Sequence, residues 1–337
     1  ISTSVSAKNR ILDIQKVMSH AGIEAWLVED HSLPIISIKF AFLGAGSNHE
    51  TLKNQGVAQL LSNTLDEGAA NIKSQEFQKY LNDNSITLNF SKNRDDFEGQ
   101  LKTLTKYKER AFSLLKLALT KPRFDEEPVE RMRQANIARI KSSLTKPEWI
   151  AARINNDIIF DGTSYALNSG GTISSLGHIT AQQINNYKNK HLTQDRLVIA
   201  VTGAIDKNEL KTVLDQIFLD LPKKNNKRLK ANYFSQKNSG KTFLYEKDIP
   251  QTIFKATLPA FGYDDPDYYA LHVMNYILGG GGLGSRLMES AREKEGLTYG
   301  IYSSVNILNN AQYLSISTST QNDKASRMVS LIHDELE

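Results

Sequence analysis

The chain has 337 residues, of which 40% are hydrophobic and 23% charged, and its 41 Lys and Arg against 37 Asp and Glu leave a net charge of +4. Such a composition describes a globular chain long enough for about two domains, and the charge is too mild to imply a nucleic-acid partner. The absence of cysteine excludes disulfides, thiolate metal sites, iron–sulfur clusters and cysteine nucleophiles.

Residues 8–22 form a short opening segment. Ala25–Val28 and Ile35–Leu43 read as strands bounded by polar turn residues. Gly44-Ala45-Gly46-Ser47-Asn48 is a loop. The spacing of Val57, Leu60, Leu61 and Leu65 predicts a helix over Leu52–Asp66, stopped at Gly68. A second helix is expected over Ser74–Asn82, with Ser74 as its N-cap. Strands follow at Ile86–Ser91 and Phe97–Leu104, then helices at Tyr107–Leu119, Glu126–Leu144 and Pro147–Asp157. His178 and His191 flank a helix in Thr180–Lys190 and read as surface or capping residues. The strand Arg196–Thr202 and the helix Lys207–Phe218 close this half.

A basic run, Lys223–Lys230, reads as a solvated linker. Beyond it the plan repeats at an offset of roughly 216 residues. Thr252–Leu258 corresponds to Ile35–Leu43, Asp267–Leu278 to Leu52–Asp66, and Arg286–Lys294 to Ser74–Asn82. Strands are predicted at Tyr299–Val305 and Gln312–Thr318, and Asp323–Leu336 is a helix placed like Tyr107–Leu119. His272, on a helix with apolar neighbours, is expected to be partly buried. The first half continues to Pro222 past its long helix, whereas Glu337 falls inside the corresponding helix, so the second copy is expected to be incomplete. The order of elements predicts an α+β fold of two homologous halves, each a mostly antiparallel sheet covered by helices. The expected division is a domain over 10–222, a linker over 223–240 and an incomplete domain over 241–337. No stretch reaches the roughly 20 apolar residues that span a bilayer, so no membrane insertion is expected.

Three segments could carry chemistry. In Gly56–Gly68, Gln59, Ser62 and Asn63 share one face of the predicted helix, opposite its apolar stripe. By itself this is an ordinary solvated face. Gly279-Gly280-Gly281-Gly282 marks a loop that moves or lets backbone approach closely. A flexible linker is the plain alternative, and a phosphate loop is disfavoured, because no Gly-Lys-Ser/Thr follows and the preceding segment reads as helix. In Arg292-Glu293-Lys294-Glu295-Gly296-Leu297-Thr298-Tyr299, a guanidinium fork and a phenol hydroxyl are donors suited to peptide carbonyls, although both could be plain surface residues.

These segments resemble the pitrilysin/insulinase/mitochondrial-processing-peptidase family of zinc peptidases. That family carries an inverted H-x-x-E-H motif after a Gly-Ser loop; here Gly56-x-Ala58 and Gly68 match its frame. The positions of its two histidines hold Gln59 and Asn63, that of its catalytic Glu holds Ser62, and that of its distal Glu ligand falls on Arg139. Neutral amides and a hydroxyl are poor zinc ligands and cannot activate water, and a guanidinium would repel the ion. The glycine run resembles the substrate-admitting loop of the processing-peptidase subunits, and Arg292 and Tyr299 match the family's R-E-x-x-G-L-x-Y segment, which binds substrate backbone. Tyr165, the Gly170-Gly171-Thr172 turn and Leu197–Gly203 extend the likeness along the chain.

The resemblance implies a noncatalytic, substrate-binding subunit of a heterodimeric zinc metallopeptidase that degrades or processes peptides. It implies no zinc and no catalytic residue in this chain, a homologous zinc-bearing partner subunit, a peptide or unfolded protein as substrate, and a periplasmic location. Two alternatives stay open: a zinc metalloendopeptidase active on its own, and a structural core or assembly protein without proteolytic role.

Overall fold

The computed structural model describes residues 12–223 and 238–337. Its first half runs β1 (Gln15–Met18), β2 (Glu24–Glu29), β3 (Ile35–Phe42), α1 (Val57–Thr64), β4 (Gly68–Ala69), β5 (Ile72–Lys73), α2 (Ser74–Asp83), β6 (Thr87–Lys92), β7 (Phe97–Leu104), α3 (Lys108–Thr120) and α4 (Glu126–Ser143). It continues through α5 (Pro147–Ile159), α6 (Ile173–His178), α7 (Ala181–His191), β8 (Leu197–Gly203) and α8 (Lys207–Phe218). The second half holds β9 (Gln251–Pro259), α9 (Tyr268–Asn275), α10 (Arg286–Met288), β10 (Ile301–Leu308), β11 (Ala311–Gln321) and α11 (Ala325–Leu336).

Two compact units result. The first holds the described residues up to Ala138 and those from Asn168 to the linker; the second holds Arg139–Leu167 and the described residues from 238 onward. Residues 224–237 of the expected linker, and the first residues of the expected 10–222 domain, lie outside the described residues.

In the first unit, the alternating pattern of β3 (IISIKFAF) puts Ile36, Ile38, Phe40 and Phe42 on one face, all buried. The sheet order is β1-β2-β8-β3-β7-β6, and only β2 and β8 pair in parallel. Helices cover this apolar face, so that Phe112 of α3 and Phe218 of α8 are fully buried with Phe42 and Phe97. An ion pair at 2.8 Å between Lys116 and Asp220, and another between Lys108 and Glu209, tie α3 to the α8 region.

In the second unit, β10-β11-β9 is wholly antiparallel. Its core gathers Leu287, Met288, Ala291, Ile301, Leu314, Ile316, Met328 and Leu331. A smaller cluster sets Phe160 against Tyr165 and Tyr313, with ring centroids 5.4 and 5.7 Å apart. The strand order β6-β7-β3 of the first sheet recurs as β10-β11-β9, so the duplication read from sequence is a duplication of topology. The α+β class with helix-covered, mostly antiparallel sheets is therefore observed. Among the described residues no helix is long and apolar enough to cross a membrane.

Several boundaries differ for local reasons. The helix expected from Leu52 begins only at Val57, because the chain enters it through Gly56 at φ +97°. Gly68 is not its stop; it sits in β4, paired with Lys73 of β5. Ser74 is the first residue of α2 rather than its cap, and its hydroxyl bonds the buried Glu67 carboxylate. Asp267–Leu278 is helical as α9 and then widens into π-type turns over Tyr276–Gly280; α10 likewise widens over Glu289–Lys294. His191 is not at the surface but 2% exposed, stacked on His49 with centroids 4.8 Å apart. His272 is exposed rather than partly buried, against the ring of Tyr268.

Candidate functional site

The loop before α1 is built to fix where that helix starts. The carboxylate of Glu50 accepts the backbone N–H groups of Gly56 at 2.8 Å and Ala58 at 2.9 Å, placing an acid on the positive end of the helix. Burial pushes the Glu50 carboxyl up to about 7, against the pull of those two N–H groups. Gly56 is required by close approach as well as by its φ, since a Cβ there would lie 2.8 Å from Gly171 Cα. The loop also closes on the Tyr187 hydroxyl, which donates to Gly46 O at 2.7 Å, and on His49, whose Nε2–H bonds the Gly44 carbonyl. Burial, with repulsion from His49, holds the His191 imidazole down to about 3, so it is neutral.

On α1 the structure brings Gln59, Ser62 and Asn63 together as the helical spacing requires. Gln59 Nε2 donates to Asn63 Oδ1 at 3.1 Å and lies 3.4 Å from Ser62 Oγ. Ser62 Oγ donates back to Gln59 O at 2.9 Å. The fourth participant is Asn136 of α4, a buried residue whose Nδ2 donates to Asn63 Oδ1 at 3.0 Å. Arg139 lies one turn further along α4 and is exposed. Asn136 was missed in the sequence; its only signal is that it precedes Arg139 by three residues, on the same side of a helix.

This donor set does not fit zinc. It offers two amides, a hydroxyl and a third amide from α4, none of them an imidazole or a carboxylate. The Asn63 oxygen, its best ligand atom, already accepts two hydrogen bonds. Nearby, Glu67 is buried but spoken for, accepting Arg131 Nη2 at 2.6 Å and the Ser74 hydroxyl. Burial raises the carboxyl of Asp66 to about 6, with Gln78 donating to its backbone carbonyl. No group of three or more His, Asp or Glu with metal-holding geometry occurs among the described residues.

The second-half segment is organised differently. Its glycine run is not an open loop: Gly279 is buried, and a Cβ there would lie 2.7 Å from both N and Oγ of Ser303 on β10. Gly281 N donates to Tyr276 O at 2.8 Å, which folds the run back on the end of α9. Of the four, only Gly282 is left-handed, at φ +72°. The turns carrying Arg292 end at Gly296, φ +57°, whose N–H bonds Arg292 O at 3.1 Å. The following strap is pinned to β11 by hydroxyls, with Thr320 Oγ1 donating to Leu297 O at 2.6 Å and Thr318 Oγ1 to Gly300 O at 2.9 Å. Tyr299 rides on this strap at 90% exposure. Arg292 is exposed too, 3.4 Å from the carboxylate of Glu293. Both side chains are thus presented to solvent from a fixed backbone.

Comparison with known proteins places this chain in a defined company. Residues 37–167 match the family pattern described as Insulinase (Peptidase family M16), and residues 178–337 match the Peptidase M16 inactive domain. The chain is similar to the "Non-peptidase homolog YmxG" of Helicobacter pylori, 28% identical over 90% of this chain and 70% of that protein. It is also similar to the mitochondrial-processing peptidase subunit beta of Saccharomyces cerevisiae, 24% identical over 71% of this chain but only 52% of that subunit. Among solved structures, the peptidase M16 inactive domain from Pseudomonas fluorescens superposes with a TM-score of 0.87 at 25% identity, covering 96% of this chain and 78% of that one. The chain spans about half the length of the processing-peptidase subunit it matches.

Proposed function

We propose a substrate-holding role from the premise that this chain belongs to the M16 peptidase family as a noncatalytic member. In this reading it is one subunit of a heterodimeric zinc metallopeptidase. The partner is a homologous subunit that carries the zinc motif, and the substrate is a peptide or unfolded protein. The observation that carries the proposal is a contrast within one chain. The polar atoms of Gln59, Ser62, Asn63 and Asn136 are spent on each other, whereas Tyr299 is held out to solvent on a pinned strap and Arg292, on the turns just before it, is exposed beside Glu293.

The chemistry assigned to this chain is binding. The Arg292 guanidinium and the Tyr299 hydroxyl donate hydrogen bonds to carbonyls of an extended peptide, and fixed donors of this kind also favour an oxyanion as it develops. Water activation is left to the partner, since Ser62 has no basicity to offer. A periplasmic location belongs to the same proposal.

The test is to purify the chain alone and with a homologous H-x-x-E-H protein encoded beside it. Zinc content and cleavage of an unfolded peptide are then measured. Cleavage only in the mixture, lost with Arg292→Ala, is the expected result. Stoichiometric zinc and cleavage by the lone chain would overturn it. A stable mixture that never cleaves would point instead to a structural subunit.

A further inference from the structure

The first sheet has one face under helices and one open to solvent. Register runs a single row across the open face: Lys16 opposite Trp26, Trp26 opposite Ala200, Ala200 opposite Lys39, and Lys39 opposite Gln100. Trp26 and Lys39 thus stand two strand spacings apart, about 10 Å, with only the methyl of Ala200 between them. Trp26 is 44% exposed, and Met18 and Val198, exposed on the neighbouring strands, extend its apolar surface.

The acids of this face are engaged, and two of its lysines are not. Glu24 holds Lys16 at 2.8 Å, and Glu98, diagonal to Lys39, accepts Asn93 Nδ2 at 3.1 Å. On the other diagonal of Lys39 stands Lys102 of β7, about 7–8 Å away. Both lysines are exposed, and neither makes an ion pair or a side-chain hydrogen bond among the described residues. The repeat sets a lysine at the same place in the second sheet: 216 residues on from Lys39 is Lys255, an exposed residue of β9 that also has no ion pair among the described residues. Two unpaired ammonium groups beside an open indole call for a ligand that carries carboxylates and apolar groups together.

We propose that the open face of the first sheet selects unfolded polypeptide with acidic and apolar residues two positions apart. In an extended peptide such side chains lie on one side, about 7 Å from each other. Crossing β8 over Ala200, the apolar one packs on the Trp26 indole, and the carboxylate reaches the ammonium groups of Lys39 and Lys102. The Gln100 amide, next in the row, has no hydrogen bond among the described residues and is free to donate to the same carboxylate. This deepens the substrate-holding reading by naming a class of substrate, and only the ligand's being a polypeptide is taken from that reading.

Trp26 reports on this face directly, because Trp149 is the only other tryptophan. In a Trp149→Phe background the chain is titrated with a labelled peptide made of two Leu-Ser-Glu-Ser repeats, and with its counterparts carrying Gln or Lys in place of Glu. Anisotropy of the label gives affinity, and Trp26 emission gives the place of binding. The Glu peptide should bind at least about tenfold more tightly than the Gln peptide and shift the Trp26 emission, and the Lys peptide should bind most weakly. Lys39→Gln with Lys102→Gln should remove that preference, and Lys53→Gln, an exposed lysine before α1, should leave it intact. Equal affinity for the three peptides would overturn the proposal, as would a preference that survives the double substitution or binding that leaves Trp26 unaltered. A Trp26 shift that grows with protein concentration alone would also overturn it, since a second copy would then be the occupant. Binding is read without partner or zinc, so a mixture that fails to cleave does not touch this result, and indifference to Glu does not touch the roles given to Arg292 and Tyr299.

Discussion

The polar face of α1 and the strap around Tyr299 are both rows of hydrogen-bonding side chains, but they are disposed in opposite ways. On α1 the groups turn towards one another, and Asn136 closes the set from α4. On the strap the backbone is what is satisfied, by Thr318 and Thr320, and the side chain of Tyr299 is left to solvent. Such a face stays ordered without any ligand, because its neutral amides and hydroxyl hydrogen-bond to one another. A binding surface stays competent only if its donors are not consumed internally.

The largest expected effect lies on the exposed side of this comparison. In a cleaving complex, Arg292→Ala should lower kcat/KM by about 100-fold or more, the scale of losing a fixed donor to developing charge. Tyr299→Phe should cost less, about tenfold, with circular dichroism unchanged because the side chain is 90% exposed. Equal activity in both variants would dissolve the contrast.

Rebuilding the α1 face tests its other side. Gln59→His, Ser62→Glu and Asn63→His together should bind zinc weakly, and adding Asn136→Glu should tighten binding at least about tenfold, as a further ligand does. Adding Arg139→Glu instead should tighten it less, because Asn136 is the residue that touches Asn63. Calorimetric zinc titration of the two quadruple variants decides which turn of α4 faces the site.

Smaller effects fall on stability. Thr320→Val leaves the Leu297 carbonyl without its hydroxyl donor and should cost about 1–3 kcal/mol in denaturant unfolding. Gly279→Ala should cost a similar amount, about 1–3 kcal/mol, by overpacking against Ser303. Substrate affinity should drop with both, since each shifts the backbone that carries the donors.

The smallest is a pH effect behind α1. His191, held down to about 3, cannot take the proton that an unfolded histidine binds below about 6.5, so it makes stability fall as the solution is acidified through that range. Glu50, raised to about 7, acts oppositely: the unfolded carboxyl gives up its proton near 4.5 while the folded one keeps it, so stability falls as pH rises from there towards 7. The two offset between pH 4.5 and 6.5. His191→Asn should leave only the Glu50 slope, so that the melting temperature rises on acidification across that window, and Glu50→Gln should leave only the His191 slope, so that it falls.

Much of this molecule was legible in its residues. Apolar spacing located β3, β7, α3 and α8 nearly to the residue, because each buries one stripe against a core and its period is local. The repeat was legible for the same reason, as was the sharing of one helical face by Gln59, Ser62 and Asn63. β1 and α6 went unread, as four and six residues carry too little periodicity to register. The widening of α9 and α10 into π-type turns has no pattern of its own either, since the glycine run fits it only by lying against Ser303 and Tyr276.

Only the tertiary structure decided the rest, and always where the deciding partner is distant in the chain. Asn136 joins Asn63 across 73 positions, and His191 meets a residue on a loop that sequence order keeps far from it. The pairing of β3 with β8, which arrives from some 160 residues downstream, is likewise invisible in the spacing. Sequence alone determined the chemistry each position can offer, because that is a property of the side chain. Which groups consume one another and which are left for a ligand was settled by folding, because hydrogen bonds and burial depend on neighbours that spacing along the chain does not specify.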